Sequence, residues 1–158
     1  MNSELTTILW QLIHDRVTAA LGTLHQGAPF VSMVPFAVAK DGWFILHVSG
    51  LASHTRDMLD NPNVSLLIAE SETSGKMPQA LARVTVQGTA AVLDRETRDH
   101  AAARDVYLSR FPDAAPLFEF SDFRIVIVTP LLVRIIAGFG QAGSMTAAEF
   151  VGAVSAGV

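Results

Sequence analysis

Apolar and polar residues alternate along this chain in short, clearly bounded segments. Leu5, Ile8, Leu9, Leu12 and Ile13 recur at helical spacing, predicting an amphipathic helix with Ser3 as its cap and Glu4 in the first turn, ending near Asp15 and Arg16. Residues 17–24 read as a strand, followed by His25-Gln26-Gly27-Ala28-Pro29 as a hairpin connection in which glycine supplies a positive φ. A partner strand over 30–39, a tight turn at Lys40-Asp41-Gly42 and a strand over 43–48 complete an antiparallel meander. A short helix then opens at Ser53 as N-cap, closes at Asn61-Pro62 and feeds a strand over 64–70. After a polar loop, 71–79, comes a long strand over 80–93. Its Ala82, Val84, Val86, Gly88 and Ala90 face one way, and Leu81, Arg83, Thr85, Gln87 and Thr89 the other. Asp94 is the expected cap of a helix running to about Arg110, and 113–119 forms another short helical piece. Two strands, 123–128 and 131–136, flank Thr129-Pro130, and Ser144 or Thr146 opens a last helix with Glu149 near its first turn. Most strands follow one another without a helix between them, which disfavours parallel winding. The pattern predicts a mainly β (α+β) protein, a six- to seven-stranded antiparallel barrel with accessory helices, in a single domain over 1–158.

Composition adds a partner to this picture. Half of the residues are hydrophobic and 16% are charged, with a mean hydropathy of +0.37. Either the core is generous or a second copy covers part of the apolar surface, and a homo-oligomer is the expectation. The net charge of −4 and the absence of a Lys/Arg cluster argue against nucleic-acid binding. Without cysteine there is no disulfide, no thiolate zinc site and no thiol nucleophile. The most apolar stretch, 125–137, is interrupted by Pro130 and Arg134 and falls short of the roughly 18 residues of a membrane span. The first ten residues carry Glu4 and no basic cluster, unlike a secretory signal, and a soluble cytoplasmic protein is expected.

The candidate chemistry lies at the helix near Ser53. Helix starts favour acids, yet His54, Thr55 and Arg56 occupy the first turn and the first acid is Asp57. Donors added to a positive helix end predict an anion site, most simply for phosphate, against the alternative of a solvated turn. Arg83, an arginine in a long strand, needs an anion or solvent, either a ligand phosphate or an ion pair. Gly138-Phe139-Gly140-Gln141-Ala142-Gly143 matches a dinucleotide fingerprint, but only 15 residues follow it, too few for the rest of a βαβ unit. It reads instead as a turn, or as a close approach to a flat ligand. Of the histidines, His14 and His100 are expected to face solvent, His25 lies in a turn, His47 packs within a strand, and His54 alone stands in a ligand-like context. No pair has metal-ligand spacing, and no metal site is expected. There is no nucleophile elbow and no paired carboxylates, so the chemistry is expected to belong to a bound cofactor.

Several pieces carry a family likeness in order: Pro29-Phe30-Val31-Ser32-Met33-Val34-Pro35-Phe36, Val48-Ser49-Gly50-Leu51-Ala52-Ser53-His54-Thr55, Asn61-Pro62-Asn63-Val64-Ser65-Leu66-Leu67, Ala82-Arg83-Val84-Thr85-Val86-Gln87-Gly88 and Gly138-Phe139-Gly140-Gln141-Ala142. The chain resembles the FMN-binding split barrels related to pyridoxamine 5′-phosphate oxidase, most closely the branch that includes haem-utilisation proteins. The resemblance implies a split β-barrel with FMN in a cleft between the two subunits of a homodimer. Ser32 and Val34, the latter through its backbone, would line the flavin strand. Ser49, His54 and Thr55 would approach the phosphate or ribityl chain, Gln79 and Arg83 would reach in from the long strand, and Gly140 and Gln141 would border the ring. The chain departs from the pattern at Asp57, where the branch typically has Asn; this acid would weaken phosphate binding or orient Arg56. No arginine follows Arg134 and no histidine follows His100, which argues against vitamin B6 oxidation and against haem cleavage. The expected function is an FMN-dependent oxidoreductase acting on a small-molecule substrate. The alternatives are a non-catalytic flavin or haem binding or storage protein, and a deazaflavin-dependent reductase.

Overall fold

The computed structural model describes residues 3–156. Helix α1 (Ser3–Asp15) is followed by strands β1 (Thr18–His25), β2 (Ala28–Pro35), β3 (Ala37–Val38) and β4 (Phe44–Ser49). Helix α2 (Ser53–Asp60) leads into β5 (Asn63–Ala69), a 3₁₀ turn at Pro78–Ala80 and β6 (Arg83–Val92). Then come α3 (Arg98–Arg110), a 3₁₀ segment (Pro112–Glu119), β7 (Phe123–Ile136), β8 (Ala142–Thr146) and α4 (Ala147–Ser155). The antiparallel sheet runs β2-β1-β5-β6-β7-β4-β3, with β8 added on β7. Its two ends, β2 and β3, are one chain segment broken only at Phe36. Pro35 cannot donate to a ladder, and at that point the chain bends, Phe36 N–H donating to Val17 O at 3.1 Å. Phe36 turns fully inward against Phe44, their rings 5.9 Å apart. One bent strand thus joins both edges of the sheet into the expected split barrel.

Turn chemistry explains the hairpins. Gln26 (φ 51°) and Gly27 (φ 81°) form a two-residue β1–β2 turn with both central residues left-handed, the geometry that matches strand twist. The expected break at Pro130 is absent: β7 runs through it as one strand. The partner makes room, because the β6–β7 register shifts between Gln87 and Gly88, setting Gly88 opposite Pro130. A Cβ on Gly88 would lie 2.5 Å from Thr129 O, so glycine is required there.

Two helix starts differ in detail and a third agrees. α2 is capped by Ala52 with no side-chain bond, making Ser53 the first helical residue rather than the cap. α3 begins later than expected, at Arg98, its Thr97 cap accepting the His100 N–H at 3.2 Å. Asp94 instead closes a preceding turn on Glu96 N–H at 3.1 Å. α4 opens from Thr146, one of the two expected starts, and the structure adds a capping box between Thr146 and Glu149. Strand β8 carries no apolar alternation and was not expected; backbone pairing of Ala142–Thr146 with 132–136 creates it.

Leu21, Val34, Leu46, Leu66, Val86 and Val126 fill the barrel, closed by Leu9 and Ile13 of α1 and Phe150 of α4. A second cluster lies on the other side of β4, where Ile45, Ile125 and Ile127 meet Ala103 and Tyr107 of α3. The outer face of β2-β1-β5-β6-β7 is left open. Register sets Val31, Gly22, Ser65, Gln87 and Leu132 in one row, and Met33, Ala20, Leu67 and Thr85 in the next. Val31 and Met33 are 67% and 68% exposed. No helix among the described residues is long and apolar enough to cross a membrane.

Candidate functional site

Helix α2 packs across the β1 end of the barrel, and the polar groups around it decide what this region can hold. Thr55 is buried, and its hydroxyl donates backwards to Ser49 O at 2.7 Å. The Ser49 hydroxyl donates to Asp122 Oδ2 at 2.7 Å while accepting the Leu51 N–H. Both hydroxyls therefore fasten the helix entry to the turn before β7. Arg83 is the first residue of β6 rather than a mid-strand residue, and its Nη1 donates to Leu81 O and Gln79 O at 3.0 and 3.3 Å. Gln79 is an exposed member of the 3₁₀ turn. Gly140 lies in the exposed β7–β8 turn at φ 76°. The backbone carbonyl of Gln141 closes that turn on Ala137 N–H, and its side chain reaches Glu4 at 3.5 Å. Val34 is inside the barrel. Ser49, Thr55 and Arg83 thus donate to the protein's own carbonyls and carboxylates.

Two of the expected residues keep free polar atoms. Ser32 Oγ and His54 Nε2 are buried without a hydrogen-bond partner. Burial holds the His54 imidazole below its ordinary pKa, against an opposing pull from Asp57.

Asp57 itself is the feature that local helix logic missed. It is 4% exposed, and its partners are on β1 rather than Arg56. Its Oδ2 accepts from Thr23 Oγ1 at 3.1 Å, and its Oδ1 accepts from His25 Nδ1 at 2.7 Å. Thr23 is buried, while the His25 side chain is 44% exposed. A carboxylate that takes the Nδ1 proton fixes the ring's tautomer and leaves Nε2 with a free lone pair, as in metal-ligating imidazoles. The signal was the alternation of Thr23 and His25 on one strand face, but nothing local connects that face to Asp57.

Two clefts open in this region, sharing Leu24. One, of about 580 Å³, is lined by Leu24, His25, Arg56, Asp57 and Asp60. The other, of about 420 Å³, shares Leu24 and is more apolar, with Pro29, Phe30, Val31, Val64 and Leu131. A third cleft, of about 500 Å³, lies between α1 and the 70–82 segment. It holds no histidine, and its Lys76 and Glu70 satisfy each other at 2.6 Å. Of the remaining histidines, His47 packs as expected. His14 is not free in solvent, since it stacks on Trp10 at 3.9 Å and donates to the Trp10 carbonyl. His100 is half-buried against Arg95 and Arg104. Among the described residues no group of three metal-ligating side chains converges.

The family model for pyridoxamine 5′-phosphate oxidase matches residues 8–136. The chain belongs to this family. Within it, the chain is 31% identical over 139 residues to the heme oxygenase HutZ of Vibrio cholerae, covering 87% of this chain and 78% of HutZ. It is 39% identical over 118 residues to the chloroplastic heme oxygenase HOZ of Arabidopsis thaliana, covering 75% of this chain but only 35% of HOZ. Among solved structures, a heme binding protein from Mycobacterium smegmatis superposes with a TM-score of 0.85 at 26% identity, over 96% of this chain and 62% of that one. The crystal structure of HutZ, described as a heme storage protein, gives 0.74 at 26% identity, over 90% of this chain and 94% of that one. The chain thus spans about a third of HOZ and somewhat under two thirds of the mycobacterial protein.

These relatives of the pyridoxamine 5′-phosphate oxidase-like chain correct the cofactor. FMN, and with it the flavin-dependent oxidoreductase, was the leading expectation, and these relatives are named for haem instead. The geometry agrees at two of the expected phosphate contacts: the Ser49 and Thr55 hydroxyls already have internal acceptors.

Proposed function

We propose that this chain binds haem, in the two clefts that share Leu24, one of them lined by His25. The observation that carries the reading is the His25–Asp57 pair opening beside an apolar wall. A haem is a flat apolar disc with a metal at its centre and two carboxylates at one edge. The apolar cleft of Phe30, Val31 and Leu131 suits the disc, and the guanidinium of Arg56, in the adjoining cleft, suits a carboxylate. His25 Nε2 is the leading candidate for the iron ligand, and the unpartnered His54 Nε2 is the second. Bound haem would supply iron-centred ligand and redox chemistry. Asp57 would orient His25, while Leu24 and Phe30 would keep water from the ring. A homodimer built through the open face of Val31, Met33, Leu67 and Leu132 would enclose the same cleft. Haem breakdown is a second reading, favoured because both curated relatives are named heme oxygenases.

The reading is tested by titrating hemin into the wild type, His25→Ala and His54→Ala while recording the Soret band. The expected result is saturation at one haem per chain with a Kd below about 10 μM. His25→Ala should move the band and weaken binding at least about tenfold. An unchanged His25→Ala spectrum beside an altered His54→Ala spectrum transfers the ligand role to His54, and no change in either rejects the site. Sedimentation of the same samples should give two chains per particle. Loss of the Soret band on adding a reductant in air would favour breakdown over storage.

A further inference from the structure

On the other side of β4, away from the haem cleft, a cleft of about 270 Å³ opens between α3 and the Pro112–Glu119 segment. Its polar lining is His47, Arg95, His100, Arg104 and Glu119. His47 is 7% exposed, lies face to face with Phe118 at 3.7 Å and meets Phe123 and Tyr107 at 5.1 and 5.7 Å. Its Nδ1 is buried with no hydrogen-bond partner. A bare nitrogen lone pair in apolar surroundings costs less than an orphaned N–H. The ring proton therefore belongs on Nε2, where it can serve the cleft that His47 lines.

The two arginines lack counter-charges. Arg95 donates from Nη2 to the carbonyls of Phe120, Ser121 and Phe123 at 3.2, 2.9 and 2.7 Å, which pins its guanidinium at the rim. Arg104 is held over the Phe118 ring at 5.2 Å. Among the described residues no carboxylate lies within 4.0 Å of either guanidinium. The field of Asp94 acts on His100 against those of the two arginines, and the exposed Glu119 is the one acid in the lining. Like charges held together repel, and a bound anion relieves the repulsion.

We infer that this cleft binds a small oxyanion, of the phosphate or carboxylate class, held by the Arg95 and Arg104 guanidiniums and the His47 imidazole N–H. None of these residues lines the haem cleft, so this site stands or falls on its own. Burial, with the fields of His100 and Arg95, pushes the His47 pKa down to about 4. An anion in the cleft should raise it, which gives a readout at His47 itself.

The experiment follows the His47 ring resonances by NMR in the full chain. Inorganic phosphate is titrated in one series and acetate in another, at pH 7 with ionic strength held constant by chloride. The proposal expects a saturable shift with a Kd near 1 mM or tighter for at least one anion, and an upward move of the His47 titration. Arg104 is on the exposed side of α3, so Arg104→Gln should fold and bind at least about tenfold more weakly, while Glu119→Gln should bind more tightly. No saturation by about 50 mM of either anion, or equal binding by wild type and Arg104→Gln, overturns the proposal.

Discussion

Asp57→Ala is expected to lower the stability of the fold by about 2–4 kcal/mol, the range for breaking a buried charged network. Both oxygens of this 4%-exposed carboxylate are engaged, one by Thr23 and one by His25. Truncation leaves the Thr23 hydroxyl, 3% exposed, without its acceptor, adds a cavity, and releases α2 from β1. Asp57→Asn keeps the shape and one acceptor, so its loss should be about 1 kcal/mol, that of a weakened hydrogen bond. Urea unfolding measures both: the midpoint should fall sharply for alanine and slightly for asparagine, with the slope unchanged. Equal, small losses would mean that the pair does not hold the helix. Haem affinity should drop roughly tenfold in both variants, because each removes the charge that orients His25.

Acidification should cost about 3 kcal/mol between pH 6.5 and 4, through His47 alone. Its folded-state pKa is lowered to about 4, chiefly by burial among Phe118, Phe123 and Tyr107 and then by His100 and Arg95. Above pH 6.5 the ring is neutral in both the folded and unfolded states and no penalty exists. Below it the unfolded chain takes up a proton that the folded ring refuses, so stability falls by about 1.4 kcal/mol per pH unit until the folded pKa is reached. Glu70 and Glu149 also have lowered pKa values, from the Lys76 bond and from the Thr146 cap respectively. Their losses come at lower pH. His47→Phe keeps the stack on Phe118 and removes the titration. Unfolding at pH 7, 5.5 and 4 should show a flatter decline in the variant, and parallel declines would clear His47 of the effect.

The barrel was legible because its determinants are local. The glycine within residues 25–29 marks a hairpin, the alternation of Val84 and Val86 marks an inward face, and Thr146 with Glu149 marks a helix start. What escaped needed a partner strand or a distant side chain. Pro130 looked like a break because the Gly88 bulge that accommodates it belongs to β6. β8 exists only through pairing with β7. The α2 region misled for the same reason. His54, Thr55 and Arg56 do crowd a helix start, but Thr55 answers to Ser49, and Asp57 to residues 32 and 34 positions earlier on β1. The resemblance found the correct family and chose the wrong cofactor within it, since the split barrel alone does not distinguish a flavin phosphate from a haem edge.

The most direct test is equilibrium titration of one preparation of the full chain with hemin and with FMN in parallel, followed by absorbance and flavin fluorescence. Stoichiometric haem uptake below about 10 μM, with no saturable FMN binding up to about 100 μM, is the predicted outcome. Tight FMN binding with haem adsorbing without saturation would contradict it.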